Sequence, residues 1–335
     1  MTIIQKSCAF LNILEPHVQK KVRLLFTFGF QALSVQRIKS LNSNARVTVQ
    51  NTKTAESKIY RLNRNQRLLN LFPSLPFLLG LVKTNDLVNV DFSDFNRRQV
   101  LLFAKQTEQG RALPLFFDYL TYPIVKNSQN TFIIMVIMQF LSHVRCGIRF
   151  VFDRGFACPS IIDFLAKNGI IFYIRIKKDK QAIFANGEKK KVKELKRRDC
   201  RVRAYEHILR LVVSDKQNLD KEPWYIITND QTASRQDILN IYYHRFEVEE
   251  FFKDAKRLFG LEYIAVKNDS TFRILLWFVM LGAWFSFYLN QFCLIAGRHR
   301  KRFKNGYHIS IISYWLECAT YELRAPALAQ IGFSP

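Results

Sequence analysis

Residues 240–262 read NIYYHRFEVEEFFKDAKRLFGLE, and in them Tyr242, Arg245, Glu249 and Lys256 follow one another at intervals of three, four and seven residues. At about 100° per residue those intervals gather all four on a helical stripe only about 60° wide. Beside the stripe, Ile241, Val248, Phe251, Phe252, Ala255 and Phe259 make an apolar face, whereas Glu247, Glu250, Asp254 and Arg257 are expected to meet solvent. The helix therefore has three faces. One packs, one is hydrated, and the third sets a carboxylate between cations with an aromatic hydroxyl at its N-terminal end. That third face suits a polyanion bound beside a metal. The plainer alternative is a surface helix laced with i,i+4 ion pairs.

The pattern Tyr-x2-Arg-x3-Glu-x6-Lys resembles the signature around the third carboxylate of a large group of bacterial insertion-sequence transposases, the DDE family. The resemblance implies a ribonuclease-H-like core that cuts and joins DNA with two divalent metal ions. Such a core needs two further aspartates. In TNDLVNVDFSDF the apolar run from Leu87 to Val90 leads to Asp91, and in GIRFVFDRGFACPS the run from Ile148 to Phe152 leads to Asp153. A hard cation such as Mg²⁺ needs anionic oxygens held rigidly, and strand ends hold side chains better than loops do. Asp153-Arg154-Gly155-Phe156 resembles the family's second-aspartate motif, and Gly110 to Leu115 its strand after the first aspartate. Asp94 lies three residues beyond Asp91, and Asp91 is preferred because it directly ends the apolar run.

The coarse pattern agrees with that core. Apolar runs at Leu87–Phe92, Val100–Ala104 and Leu113–Phe117 predict three strands, followed by a helix over 130–144 and a strand ending at Asp153. A short helix is predicted from Pro159 to Lys167, since proline suits a first turn and Asn168-Gly169 a stop. A strand at Ile170–Ile176 comes next, and much later a long helix carrying Glu249, with Ser234 as N-cap and Asp237 in its first turn. Three strands, helix, strand, helix, strand, helix is the ribonuclease-H order. The expected fold is α/β, a mixed sheet flanked by helices, with the carboxylates gathered at one edge.

About sixty residues before the last helix exceed such a core and read as a β-rich insertion. Ala182–Phe184, Val202–Val213 and Trp224–Thr228 are predicted strands, with Asn186-Gly187 a hairpin turn. Lys189, Lys190, Lys191, Lys193, Lys196, Arg197 and Arg198 crowd into it. Related transposases project this element onto the DNA end, so Lys189, Lys190, Lys191, Lys196, Arg197 and Arg198 are assigned to phosphate contacts. Trp224 or Tyr205 could stack on an unpaired base, although packing is the plainer role for both. The expected domains are a helical DNA-binding region at 1–80, the catalytic domain at 85–176 and 234–297, the basic insertion at 177–233, and a basic C-terminal segment at 298–335.

Composition bounds the partners. Lys plus Arg number 51 against 27 Asp plus Glu, and the net charge of +24 calls for a polyanion. Basic clusters spread along the chain favour a long duplex over a small phosphate ligand, with strongly salt-dependent binding. A packaging protein would share the charge but not a content of 49% hydrophobic and 14% aromatic residues. The six cysteines, Cys8, Cys146, Cys158, Cys200, Cys293 and Cys318, form no C-x2-C pair, which argues against zinc and disulfides and fits a reducing cytoplasm. No glycine-rich phosphate loop or G-x-S-x-G elbow is present. Phe272–Ala296 is long and apolar enough for a membrane span, but Arg273, Ser286, Asn290 and Gln291 interrupt it, so a buried helix is expected.

The resemblance thus implies a transposase in the bacterial cytoplasm, associated with the nucleoid, with Asp91, Asp153 and Glu249 as catalytic metal ligands. Its cofactor would be two Mg²⁺ ions, with Mn²⁺ as a substitute, set about 3.5–4 Å apart. Tyr242, Arg245 and Lys256 would hold phosphates near the cut. Transposon ends and target would be its double-stranded DNA partners, and a homodimer would hold two ends together. The alternatives are a catalytically silent DNA-binding regulator derived from a transposase and a membrane protein anchored by 272–296.

Overall fold

The structure, a computed structural model, describes residues 12–13, 52–126, 128–144, 147–184, 187–195, 198–215, 222–261, 266–291 and 312. Lys196, Arg197, Asn186 and, apart from residue 312, the basic C-terminal segment at 298–335, all singled out above, lie outside the described residues. The chain divides into two compact units, Val82–Glu249 and a second made of Met1–Leu81 with Glu250–Pro335. In chain order the elements are helices α1 (Thr52–Asn63), α2 (Gln66–Leu71) and α3 (Leu75–Leu78), then strands β1 (Leu87–Phe95), β2 (Arg98–Lys105) and β3 (Leu113–Thr121). Helix α4 (Ser128–Ser142), strand β4 (Arg149–Phe152), helix α5 (Pro159–Lys167) and strand β5 (Ile171–Arg175) follow. Strands β6 (Gln181–Phe184), β7 (Lys189–Lys191), β8 (Asp199–Ala204), β9 (His207–Val213) and β10 (Tyr225–Thr228) precede helices α6 (Arg235–Tyr243), α7 (Phe246–Arg257) and α8 (Asp269–Gln291).

In the unit Val82–Glu249 the ten strands of the described residues form one mixed sheet in the order β3-β2-β1-β4-β5-β10-β9-β8-β6-β7. β1, β2 and β3 are antiparallel neighbours, and β4 and β5 run parallel to β1. The chain order of these elements, three strands, helix, strand, helix, strand and later helices, follows the expected succession. The extra strands do not form a separate sheet: β10 pairs antiparallel with β5 and extends the same sheet outward. Two local details also differ from expectation. The run 202–213 is two strands, turned at Tyr205-Glu206, which both take left-handed φ of 53° and 65°. The lysine run itself supplies a strand, because Lys189, Lys190 and Lys191 pair with Ile183, Ala182 and Gln181.

Successive residues of β4 point to opposite faces, and both faces are covered. Phe150 joins a ring cluster with Phe103, Phe116 and Phe140, the last from α4, at centroid separations of 4.9–6.0 Å. Val151, one residue on, packs with Tyr173, Val212, Trp224 and Ile226 under Ile238, Leu239, Ile241 and Tyr242 of α6. α5 begins with Pro159 and ends at Lys167 with Asn168 as its C-cap, and Gly169 at φ 64° takes the left-handed position that stops it. Ser234 caps α6 as expected, and does so through an exchange with Asp237 in which each side-chain oxygen accepts the other's backbone N–H.

In the second unit Asn65 caps α2, and Phe72 stacks on Trp277 of α8 at 5.5 Å and meets Phe278 edge-on at 5.8 Å. The stretch Asp269–Tyr288 of α8 has the length and apolarity of a membrane span, but 78% of that stretch is buried, as in the core helix of a folded unit.

Candidate active site

Asp91 lies on β1 and Asp153 immediately follows β4. The parallel register pairs Val90 with Phe152, so one step further brings the two aspartates to neighbouring positions on strands about 4.8 Å apart. Asp91 does not end its strand, as the apolar run implied, because β1 continues to Phe95 through its pairing with β2. Asp94 falls on the opposite face of β1 and accepts a hydrogen bond of 2.8 Å from the Tyr122 hydroxyl.

The long helix expected to carry Glu249 is not one rod. It is divided into α6 and α7 by a turn at His244-Arg245, where the N–H groups of Arg245, Glu247 and Val248 bond three residues back rather than four. The cause is long-range. Fully buried Asn89, two residues before Asp91 on the same strand, donates from Nδ2 to the His244 carbonyl at 3.1 Å and, at 3.5 Å, to that of Arg245. Gln106 donates to the Ile241 carbonyl at 2.9 Å and to Asn89 Oδ1 at 2.7 Å. Side-chain amides thus take carbonyls that a continuous helix would use.

The turn aims each side chain separately. Tyr242, fully buried, donates its hydroxyl to Asp153 Oδ1 at 3.2 Å. Arg245, 4% exposed, reaches Glu249 Oε1 at 2.6 Å through Nη2 and Asp91 Oδ2 at 3.5 Å through Nη1. The structure therefore brings Asp91, Asp153, Tyr242, Arg245 and Glu249 together. Lys256 follows Glu249 on α7 but belongs to the other compact unit. Glu247 corrects the expectation of a hydrated face: it is buried, and its carboxylate accepts the N–H groups of Thr107 at 2.8 Å and Gly110 at 3.2 Å. Asp254, also assigned to solvent, is buried as well.

Electrostatics follow from this crowding. Burial lifts the Asp91 carboxyl to about 6, helped by the charges of Glu249 and Asp153 and opposed by Arg245 and the Phe92 N–H. Burial also lifts the Tyr242 phenol, which the charge of Asp153 reinforces. For Arg245 burial works against the charge, yet Tyr242, Asp153, Glu249 and Asp91 outweigh it and hold the guanidinium above its ordinary value. The cluster carries more negative charge than Arg245 neutralises. A set of three carboxylates in that condition fits a hard divalent cation. Among the described residues no three such side chains converge as a finished ligand cage, and Arg245 stands between two of the three.

The basic insertion is already partly neutralised. Lys190 pairs with Glu188 at 2.7 Å, Lys193 with Asp179 at 2.7 Å, and Arg198 with Asp215. Trp224 is buried edge-on against Tyr242, the packing role. Asn89 and Gln106 went unnoticed in the sequence, and Glu247 was read only as a solvent-facing residue. Arg154, Arg175 and Lys177 line a cavity of about 190 Å³.

Residues 120–285 match the transposase DDE domain, a span that holds Asp153 and Glu249. No curated protein matches the chain by sequence. Among solved structures the chain is similar to a piggyBac transposase, described as a synaptic complex with hairpin DNA, at 8% identity and a TM-score of 0.45. The likeness covers 82% of this chain, which spans 60% of the length of that one. The match over residues 120–285 supports a DDE-type transposase.

Proposed function

We propose that the protein is a DNA transposase that binds insertion-sequence ends, cleaves them and joins the freed 3′-hydroxyl to target DNA. The observation that carries this is the grouping of Asp91, Asp153 and Glu249 around Arg245 and Tyr242, in a chain matching the transposase DDE domain. Asp91, Asp153 and Glu249 would hold the divalent ions, two Mg²⁺ with Mn²⁺ as a substitute. Such ions supply charge that activates an attacking oxygen and stabilises a leaving one.

The chain's own residues position and neutralise. A water oxygen attacks the phosphorus, the bond to the 3′ oxygen breaks, and a 3′-hydroxyl and a 5′-phosphate result. The 3′-hydroxyl then attacks a target phosphodiester, forming one P–O bond as another breaks. Tyr242 orients Asp153, and Arg245 holds Asp91 and Glu249 against one another. Lys256 and the basic insertion contribute phosphate contacts. Two ends held together call for a homodimer on DNA, in a bacterial cytoplasm and close to the nucleoid.

The test is cleavage of end-bearing DNA in Mg²⁺. Asp91→Asn, Asp153→Asn and Glu249→Gln should each abolish nicking while end binding persists, since each removes charge but little volume. Asp94→Asn, altered on the opposite face of β1, should still cut. Nicking by any of the first three would overturn the assignment, and full-strength binding without cleavage by the unaltered chain would favour the silent regulator.

A further inference from the structure

Glu247 is a buried carboxylate that the chemistry proposed above does not use. Both its side chain and its main chain are spent on the loop between β2 and β3. Oε2 accepts the Thr107 N–H at 2.8 Å, and Oε1 accepts that of Gly110 at 3.2 Å and lies 3.3 Å from His244 Nδ1. The Glu247 main-chain carbonyl accepts the Ala112 N–H at 3.1 Å. The loop is also closed on itself. The Thr107 hydroxyl donates to the Arg111 carbonyl at 2.6 Å and accepts the Gln109 N–H at 3.2 Å, while Glu108 and Gly110 take left-handed φ of 58° and 78°. Backbone N–H groups that converge in such a turn form a concavity for an anion. The anion that fills this one is Glu247.

An acid in the first turn of a helix has an ordinary explanation, since it complements the helix dipole. α7 has two there, Glu247 and Glu249. The Glu247 carboxylate, however, turns away to N–H groups 140 and 137 residues distant. The backbone shows why an anchor is needed at this point. The N–H groups of Glu247 and Val248 bond three residues back, to His244 and Arg245, so α7 does not take its direction from α6 through a continuous ladder. Asn89 and Gln106 grip carbonyls at and before the turn, those of Ile241, His244 and Arg245. Glu247 grips the chain after it. Glu249 follows about 3 Å further along the axis. It meets Arg245 at 2.6 Å, and Arg245 reaches Asp91 only at 3.5 Å, so a small tilt of this turn would part the three.

Resting on the transposase reading, we propose that Glu247 is a positioning residue for that reaction. By filling the concavity of the β2–β3 loop it fixes the first turn of α7, and with it the separation of Glu249 from Asp91. It acts through Glu249 and not on DNA or metal itself. The β2–β3 loop thereby becomes part of the support of the third carboxylate, although it carries no residue of the site.

The test reads Mg²⁺ affinity of the full chain without DNA, by calorimetric titration of the metal alone, beside nicking of end-bearing DNA. Glu247→Gln keeps the size but sets an amide NH₂ against one of the N–H donors. Gly110→Ala disturbs the same concavity from the loop: nothing lies within 4 Å of the added methyl, but φ of 78° is one that alanine resists. It also serves should the Glu247 variant not fold. Each should weaken Mg²⁺ binding, and lower nicking at saturating DNA, by roughly 10- to 100-fold, the usual effect of altering a group that orients metal ligands. The DNA concentration for half-maximal nicking should not move. Asp230→Asn is the control, since it too removes a carboxylate that accepts backbone N–H groups in the same unit. It should lower the melting point and leave Mg²⁺ affinity alone. All titrations are made below the lowest melting point. If both test variants bind Mg²⁺ as well as Asp230→Asn does, Glu247 only holds the fold, and the proposal falls while the transposase reading stands. If the unaltered chain takes up no Mg²⁺ and cuts nothing, both fall.

Discussion

Arg245 is the residue on which the carboxylate cluster turns. It is 4% exposed, yet it stays charged because Asp91, Asp153 and Glu249 surround it. Arg245→Met keeps much of the volume and leaves Asp91 and Glu249 facing each other unneutralised. Breaking a fully buried pair costs about 3–5 kcal/mol. The Glu249 side chain is 41% exposed, so about 2 kcal/mol is the expected loss after screening. Removing the cation should also sharpen the demand for another. Mg²⁺ should raise the melting temperature of Arg245→Met by more than it raises that of the unaltered protein. Thermal melts with and without Mg²⁺ check this, and a variant whose melting point ignores Mg²⁺ would mean that the three carboxylates are no cation site.

Among the elements, the turn between α6 and α7 divides what was legible from what was not. The apolar face of the helix, the Ser234 cap and the carboxylate side chains could be read locally, because each depends on spacing within a few residues. The turn could not, since no proline or glycine marks it and its cause is Asn89, 155 residues distant. The same reason hid Glu247, whose partners Thr107 and Gly110 are 140 and 137 residues away. Asn89→Asp tests the device: it keeps the size but turns the donor facing two buried carbonyls into an acceptor. It should cost about 2–4 kcal/mol in urea denaturation, the penalty of unsatisfied and charged buried groups. A loss under about 0.5 kcal/mol would mean the turn forms without it. Asp230 anchors the segment leading into α6. Burial raises its carboxyl, but bonds from the Tyr173 hydroxyl, the Thr232 N–H and hydroxyl and the Ala233 N–H win and hold it at about 2. A depressed folded pKa stabilises above the unfolded value and ceases to do so as pH falls through the folded one. Asp230→Asn should therefore cost about 2 kcal/mol near pH 7, and the gap should close between about pH 4 and 2. Urea midpoints for both proteins at the two ends of that window measure it, and a gap that stays open in acid would show that the charge is not what matters.

For the molecule as a whole, the question left by its composition is whether a chain of net charge +24, with one long apolar helix among the described residues, is a soluble nucleic-acid enzyme or is anchored in lipid. Length and apolarity could not decide, because a core helix and a span satisfy the same pattern. Packing does bear on it. Trp277 of α8 stacks on Phe72 and meets Trp284 at 6.4 Å, and both Trp277 and Phe72 are 0–2% exposed. In a water-soluble unit Trp277→Ala opens a cavity and should cost about 3–5 kcal/mol. In a lipid-facing span the same change would be nearly silent, since acyl chains fill the space. The paired measurement is fractionation of cell membranes at alkaline pH and high salt. A basic soluble protein held only by charge is released, whereas a span stays with the lipid. Release of the unaltered chain together with a large loss of stability in Trp277→Ala is the expected result. Retention in the membrane with an unmoved melting point would make α8 an anchor and require the transposase to work at a membrane surface.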